Sequence, residues 1–299
     1  MSRVLGFSED ACLEVAEAGG KGASLARMTG LGLPVPPGFV VPAVALAEAL
    51  SDGGEQLRAL ARAKDADGAQ GLIRTVELDP ALRRDVLGAY AALGDDVPVA
   101  VRSSACAEDS EAASFAGQQE TYLHVRGPDE VRRRIRDCWA SFFSERALFY
   151  REKKGSLDDL GMAVVVQRMV RSDVAGVLFT CDPVHRRRDR MVVEAVLGLG
   201  EAAVSGAVTP DHYVLKRDGT VKRAKVARQP FAVVPLEGGG TEERELGEEG
   251  AEAKLGEEQL RELARIGDEL ERRLGGPQDI EWALEGQELY VLQARPVTA

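Results

Sequence analysis

The strongest constraint on how this chain can fold is a series of short apolar runs between residues 161 and 227. "GMAVVVQRMV" (161–170), "AGVLFTCDP" (175–183) and "DRMVVEAVLGLGE" (189–201) are rich in valine and read as buried strands. "PDHYVLKRDGTVKRAKVA" (210–227) reads as a hairpin with an Asp-Gly turn at 218–219. The last residues, 278–299, read as a second hairpin, and "VPVAVRSSA" (97–105) as a strand entering a polar loop. Helical patterns are mixed with these strands. Residues 19–30 form a glycine turn opening a short helix, 43–93 a helical insert, 129–153 one long amphipathic helix, and 258–274 a helix ended by Gly275 and Gly276. "LPVPPGFVV" (33–41) is extended, because successive prolines forbid helix. Residues 237–258, acidic and glycine-rich, read as a surface loop. Strands and helices mixed with several hairpins predict an α+β fold rather than a doubly wound parallel sheet.

The 299 residues suggest about two lobes. A net charge of -11 argues against a nucleic-acid-binding role, which needs a basic face. An acidic protein that binds an anion must gather its cations at one place or bring a metal. Cys12, Cys106, Cys138 and Cys181 form no C-x-x-C pair, so neither disulfides nor zinc are expected. His124, His185 and His212 show no metal-ligand spacing and are assigned no chemistry. The first residues lack the apolar core of a signal peptide, and no run of about 18 apolar residues exists. The expectation is a cytoplasmic protein with no membrane contact.

In the closing hairpin, alternation puts Ile280, Trp282, Leu284, Tyr290, Leu292 and Ala294 on one face. Asp279, Glu281, Gln293 and Arg295 fall on the other, given a three-residue turn at Glu285-Gly286-Gln287 that pairs Leu284 with Glu288. That polar face fits a solvated surface with cross-strand ion pairs. It equally fits a magnesium and phosphate face, since Mg²⁺ takes carboxylate and amide oxygens and arginine forks onto phosphate. The hairpin alone does not decide.

Other stretches carry weaker signals. Lys21 in "AGGKGASL" (18–25) sits where a helix begins, a place that favours anions. The stretch is not a Walker A loop, because Val15 stands where that motif needs glycine. Arg102 leaves an apolar strand into Ser103 and Ser104, and a second loop, "SFAGQQET" (114–121), is built of small and hydroxyl-bearing residues that can fold over phosphates. "VLGLGEAAVSG" (196–206) has Ala203 where a dinucleotide fingerprint needs its last glycine.

Taken together, "GGKGASLARMTGLGLPVPPGFVV", "VRSSACAEDSEAASFAGQQETYL", "VVVQRMV", "GVLFTCDP", "GLGEAAVSGAVTPDHYV" and "QDIEWAL…LYVLQARP" resemble, in this order, the nucleotide-binding domain of phosphoenolpyruvate synthase, pyruvate phosphate dikinase and rifampin phosphotransferase. The resemblance covers nearly the whole chain. It implies an ATP-grasp fold, two α+β lobes closing on ATP, here expected at residues 1–165 and 166–299. Position by position it implies phosphate contacts from Lys21, Arg102 and Arg295, with Gly117 and Thr121 in the glycine-rich loop over the phosphates. It places Gln167 beside the adenine, Glu281 and Gln293 at Mg²⁺, and Asp279 at the family's further acidic position. The departures, Cys106, Glu111, Cys181 and "VHRRRDR", touch none of these positions.

The resemblance also implies a reaction: the β-phosphoryl of ATP passes to a histidine on a swivelling domain, with release of AMP and phosphate, and a third domain binds the final acceptor. Neither domain is represented in these residues, so a phosphohistidine domain and an acceptor-binding domain are the expected partners. Two alternatives stay open: a stand-alone kinase or ligase acting on a small molecule, and a non-catalytic ATP-binding regulatory subunit.

Overall fold

The computed structural model describes residues 3–50, 53–105, 120–185, 187–236 and 238–297. The chain divides into two compact units, the first made of Met1–Gly30 and Pro37–Met169, the second of Leu31–Pro36 and Val170–Ala299. Both mix helices with antiparallel sheet, so the fold class is α+β as the hairpin signals predicted.

Unit 1 contains, in chain order, β1 (Leu5–Gly6), α1 (Val15–Gly30), β2 (Gly38–Val41), α2 (Ala45–Leu50), α3 (Gly53–Ala63), α4 (Ala66–Thr75), α5 (Pro80–Ala92), β3 (Val99–Ala105), β4 (Thr121–Val125), α6 (Pro128–Ser141), α7 (Glu145–Lys154) and β5 (Met162–Arg168). Its strands form one sheet in the order β1-β2-β5-β3-β4, antiparallel throughout. Alternation splits that sheet into two faces. Phe39, Val41, Val99, Val101, Val164 and Val166 join the core under the helices, with Ile135, Cys138, Trp139 and Phe143. Trp139 is fully buried and donates its indole N–H to the carbonyl of Met162 at 3.1 Å.

Residues 129–153 do not make one helix. Helix α6 stops at Ser141, and Ser144 starts α7 by accepting a hydrogen bond from the Ala147 N–H at 3.3 Å. Arg151, 1% exposed, holds the break. Its guanidinium donates to the carbonyls of Phe142, Ser156, Leu157 and Asp159 and stacks on the rings of Phe142 and Phe143. A continuous amphipathic pattern hides this because the apolar stripe runs through the corner, while a tertiary contact satisfies the freed carbonyl.

Unit 2 continues with β6 (Val174–Phe179), β7 (Arg190–Leu197), α8 (Glu201–Val204), β8 (Asp211–Lys216), β9 (Val221–Lys225), β10 (Phe231–Pro235), β11 (Thr241–Glu245), α9 (Glu257–Leu274), β12 (Gln278–Glu285) and β13 (Glu288–Pro296). Six strands pair antiparallel in the order β13-β12-β6-β7-β8-β9. Helix α9 buries Leu260, Leu263, Ala264, Ile266, Gly267 and Leu270, the three- and four-residue spacing of an amphipathic helix. Gly267 lies over Leu178, Thr180 and Met191, which sets α9 on the sheet face of Ile280, Leu178 and Val193. On that face Gly176 admits the indole of Trp282: a Cβ there would come 2.8 Å from Trp282 Cζ2 and overlap the Glu194 carbonyl.

The segment read as a loop at 237–258 holds more order than its composition suggests. Strand β11 pairs with β10 from Phe231↔Glu245 to Pro235↔Thr241. All five β11 residues are exposed and four are charged, so no alternation announced a strand. Farther on, Lys254 is buried against Asp211, with Nζ 3.2 Å from Oδ1 and side chains 1% and 0% exposed. Lys254 also donates to the carbonyls of Ala227, Gly250 and Glu252, and Tyr213 donates its hydroxyl to Asp211 at 2.7 Å. Every charge here is paired and hydrogen-bonded, which is what makes burial tolerable.

Candidate functional site

In unit 1 the expected residues converge on the sheet face opposite the helical core. Arg102 pairs with Val165 on one side and Thr121 on the other, and Val165 pairs with Val40, so these four side chains form one row. Gln167, two residues beyond Val165 and paired with Ala100, lies on the same face and is 3% exposed. Helix α1 covers this face: a Cβ at Gly22 would lie 3.0 Å from Val40 Cγ2. Lys21 therefore enters on the element packed over Arg102's row. Gly117 lies outside the described residues.

The turn that presents Lys21 is a break inside α1. Gly19 has φ 68 and ψ 174, a conformation that costs other residues heavily. A Cβ at Gly19 would also overlap the carbonyl and Oγ of Ser104. The helix restarts after the break, leaving N–H groups at its new first turn.

In unit 2 the closing hairpin carries the remaining residues, with a register that differs from the expectation. The turn holds two residues, Gly286 and Gln287, and Glu285 pairs with Glu288. Near the turn even residues face odd ones: Trp282 pairs with Val291 and Ala283 with Tyr290. An irregularity between Glu281 and Trp282, with Leu292 as the extra residue, then restores like parity. Beyond it Glu281 faces Gln293 and Asp279 faces Arg295. The four polar groups thus share a face as expected. Tyr290 and Leu292 do not join the core with Trp282; they pack with Val170, Ala175 and Ala283, and Val291 takes the buried place.

Arg295 Nε donates to Asp279 Oδ2 at 2.8 Å. Burial pushes the Asp279 carboxyl up from its ordinary range; Arg295 pulls it back and the neighbouring Glu281 adds to the rise. Asp279 Oδ1 is buried with no hydrogen-bond partner among the described residues. An orphaned carboxylate oxygen beside a second carboxylate and an amide is a donor set suited to a hard cation. Among the described residues no group of three or more His, Cys, Asp or Glu is placed to hold a metal ion. A set of two carboxylates and an amide matches the habit of Mg²⁺, which keeps waters and substrate phosphates as its other ligands.

The same face extends across the sheet. Glu281 pairs with Val177, Val177 with Glu194, and Glu194 with His212. Glu194 is a further carboxylate on the row, with His212 Nδ1 3.6 Å away. Its signal in the sequence was a lone acid inside the apolar run "MVVEAVL".

The model of the family described as pyruvate phosphate dikinase, AMP/ATP-binding domain, matches residues 15–299. The chain belongs to that family. Relatives include a probable phosphoenolpyruvate synthase of Methanocaldococcus jannaschii, 40% identical over 94% of this chain and 25% of that protein. The phosphoenolpyruvate synthase of Pyrococcus furiosus is 36% identical over 98% of this chain and 43% of that protein. The rifampicin phosphotransferase of Bacillus subtilis is 37% identical over 99% of this chain and 36% of that protein. The chain thus spans well under half the length of these curated relatives. Among solved structures, D-alanyl-alanine synthetase A from Vibrio cholerae aligns at TM-score 0.39 with 11% identity, covering 97% of this chain and 58% of that one. A Pyrococcus horikoshii protein, PH1788, aligns at 0.41 with 12% identity, covering 97% and 94%. At these scores the likeness carries no argument. No helix among the described residues is long and apolar enough to cross a membrane.

Proposed function

We propose that this chain is the Mg-ATP-binding, ATP-grasp module of a dikinase-type phosphotransferase. The observation that carries the reading is the closing hairpin, where register sets Asp279, Glu281, Gln293 and Arg295 on one face and where Asp279 Oδ1 has no donor among the described residues. Family membership and the gathering of Arg102, Thr121 and Gln167 on one face of unit 1 support it.

In this reading Lys21, Arg102 and Arg295 offset phosphate charge, Thr121 and the loop containing Gly117 contact the phosphates, and Gln167 meets the adenine. Glu281 and Gln293 hold Mg²⁺, with Asp279 behind them. The metal, when bound, neutralises charge on the transferring phosphoryl group. Little covalent chemistry falls to the chain itself, which supplies positioning and electrostatic stabilisation. The β-phosphoryl passes to a histidine on a separate domain or protein: the imidazole nitrogen forms a P–N bond at the β-phosphorus as the α,β bridging P–O bond breaks and AMP leaves, and one water cleaves the β,γ bridge so that phosphate leaves.

The test is to incubate the protein with ATP and Mg²⁺, with and without a candidate histidine domain, and to resolve AMP, ADP and labelled protein. AMP together with a labelled partner, formed only when that domain is added, is the expected result. Turnover with a small acceptor and no partner would replace this reading with a stand-alone kinase or ligase. Tight binding without turnover under every condition would leave a nucleotide-binding regulator. Unaltered ATP binding and turnover in both Arg102→Ala and Glu281→Ala would remove the site assignment altogether.

A further inference from the structure

We infer that Ser104 is a positioning residue for Lys21, a role that rests on the reading of Lys21 as a phosphate contact. One buried hydroxyl closes both sides of the break in α1. Ser104 Oγ accepts the Gly22 N–H at 3.2 Å, and its own O–H donates to the Ala18 carbonyl at 2.9 Å. Ser104 is 0% exposed, so no water replaces either bond. Gly22 is the third residue after the break at Gly19, where a helix restarting at Gly20 has an N–H with no partner of its own. Helices usually fill that need with a capping residue of their own chain segment. Here the residue at the break is Gly19, which has no side chain to cap with, and the cap comes from strand β3.

The exchange has a geometric consequence. Lys21 lies between the two residues that Ser104 holds, Ala18 and Gly22. Ser104 also lies two residues from Arg102 on the same strand and the same face. A single hydroxyl therefore ties the backbone of the lysine turn to the strand that carries the arginine. Gly19 is what allows this approach, since a Cβ there would overlap both the carbonyl and Oγ of Ser104. Cys12 braces the other side, with Sγ 3.9 Å from the Gly22 carbonyl. The backbone segments that carry two cations expected to meet one polyphosphate are thus tied together before any ligand arrives, and preorganisation of this kind is where positioning residues act.

The test is a double-mutant cycle on ATP affinity, measured by calorimetry in the presence of Mg²⁺ on the full chain. Ser104→Ala is expected to weaken binding roughly tenfold in the presence of Lys21. In a Lys21→Ala background the same substitution is expected to change affinity by less than about twofold, because its effect runs through the lysine. Ser104→Thr, which keeps the hydroxyl, restores most of the loss. Hydrogen exchange at the Gly22 amide, read without nucleotide, accelerates in Ser104→Ala and not in Ser104→Thr. Ser104→Cys, close in volume and a weaker hydrogen-bonding group, supplies the same cycle should the alanine variant fail to fold. Equal losses in both lysine backgrounds, no loss at all, or unchanged Gly22 exchange would overturn the inference. Equal ATP affinity of the unsubstituted chain and Lys21→Ala would instead sink the reading of Lys21, and this inference with it.

Discussion

His124 occupies a left-handed conformation, φ 51, in the middle of β4, where Leu123 and His124 together oppose Ala100. The residue is 5% exposed, and Nε2 has no hydrogen-bond partner among the described residues. Burial, with Arg126 nearby, holds its pKa below the ordinary imidazole value. The unfolded chain therefore takes up a proton below about pH 6.5 that the native chain refuses, and stability falls as pH drops through that point. The slope is at most about 1.4 kcal/mol per pH unit, and His124→Gln should remove it from denaturant titrations between pH 5 and 7. Cysteine behaviour follows from burial too. Cys12 and Cys138 are 0% exposed, and burial pushes the Cys12 thiol up to about 12. Iodoacetamide at pH 8 should leave both unmodified in the native protein and alkylate both after unfolding, as mass spectrometry would read. That Glu281, Gln293 and Arg295 share a face was legible from parity, and the resemblance made them candidates; the orphaned Oδ1 of Asp279 was not legible, because a missing partner is a property of packing.

Among the elements, the β12–β13 hairpin depends on one irregularity. Its two-residue turn would set even against odd along its whole length, and the extra residue Leu292 corrects this before Glu281 is reached. Inserting an alanine between Leu292 and Gln293 should put the new residue opposite Glu281, move Gln293 and Arg295 off that face, and abolish Mg²⁺-dependent ATP binding while circular dichroism keeps its mixed signature. A variant that still bound ATP would show that this face does not hold the nucleotide. Alternation predicted the shared face because period two survives any even shift. It missed the places of Tyr290, Val291 and Leu292, since a bulge leaves no mark in a pattern of apolar residues. The Lys254–Asp211 pair makes a second case. Lys254→Ala would leave Asp211 buried without its counter-charge, and a loss of about 3–5 kcal/mol is expected in urea unfolding. Nothing local announced Lys254 as buried; its stretch, "AEAKLGEE", reads as a solvated acidic surface.

For the whole molecule, the expected outcome is a protein that binds Mg-ATP and releases AMP only when a histidine-bearing domain is supplied, with thin-layer separation of nucleotides as the measurement. The α+β class was readable from residue order, because valine-rich runs, an Asp-Gly turn and amphipathic spacing are set by covalent neighbours and by the apolar pattern. Family membership was readable for a related reason: loops that meet phosphates need glycine, serine, lysine and arginine at fixed offsets, and those offsets survive in the chain. Other features were decided only by contacts between distant segments. Residues 31–36 belong with unit 2, where the Pro34 carbonyl accepts the Val291 N–H at 2.9 Å. Arg151 ends a helix that its sequence would continue, by occupying a carbonyl nine residues back. Ser104 closes the Lys21 turn from 82 residues away. Sequence by itself determined which residues could form strands, helices and a phosphate-binding set, because those are matters of side-chain type and spacing. Tertiary structure decided which polar atoms were satisfied and which were not, because a hydrogen bond forms only between groups that folding has already brought within 3 Å or so of each other.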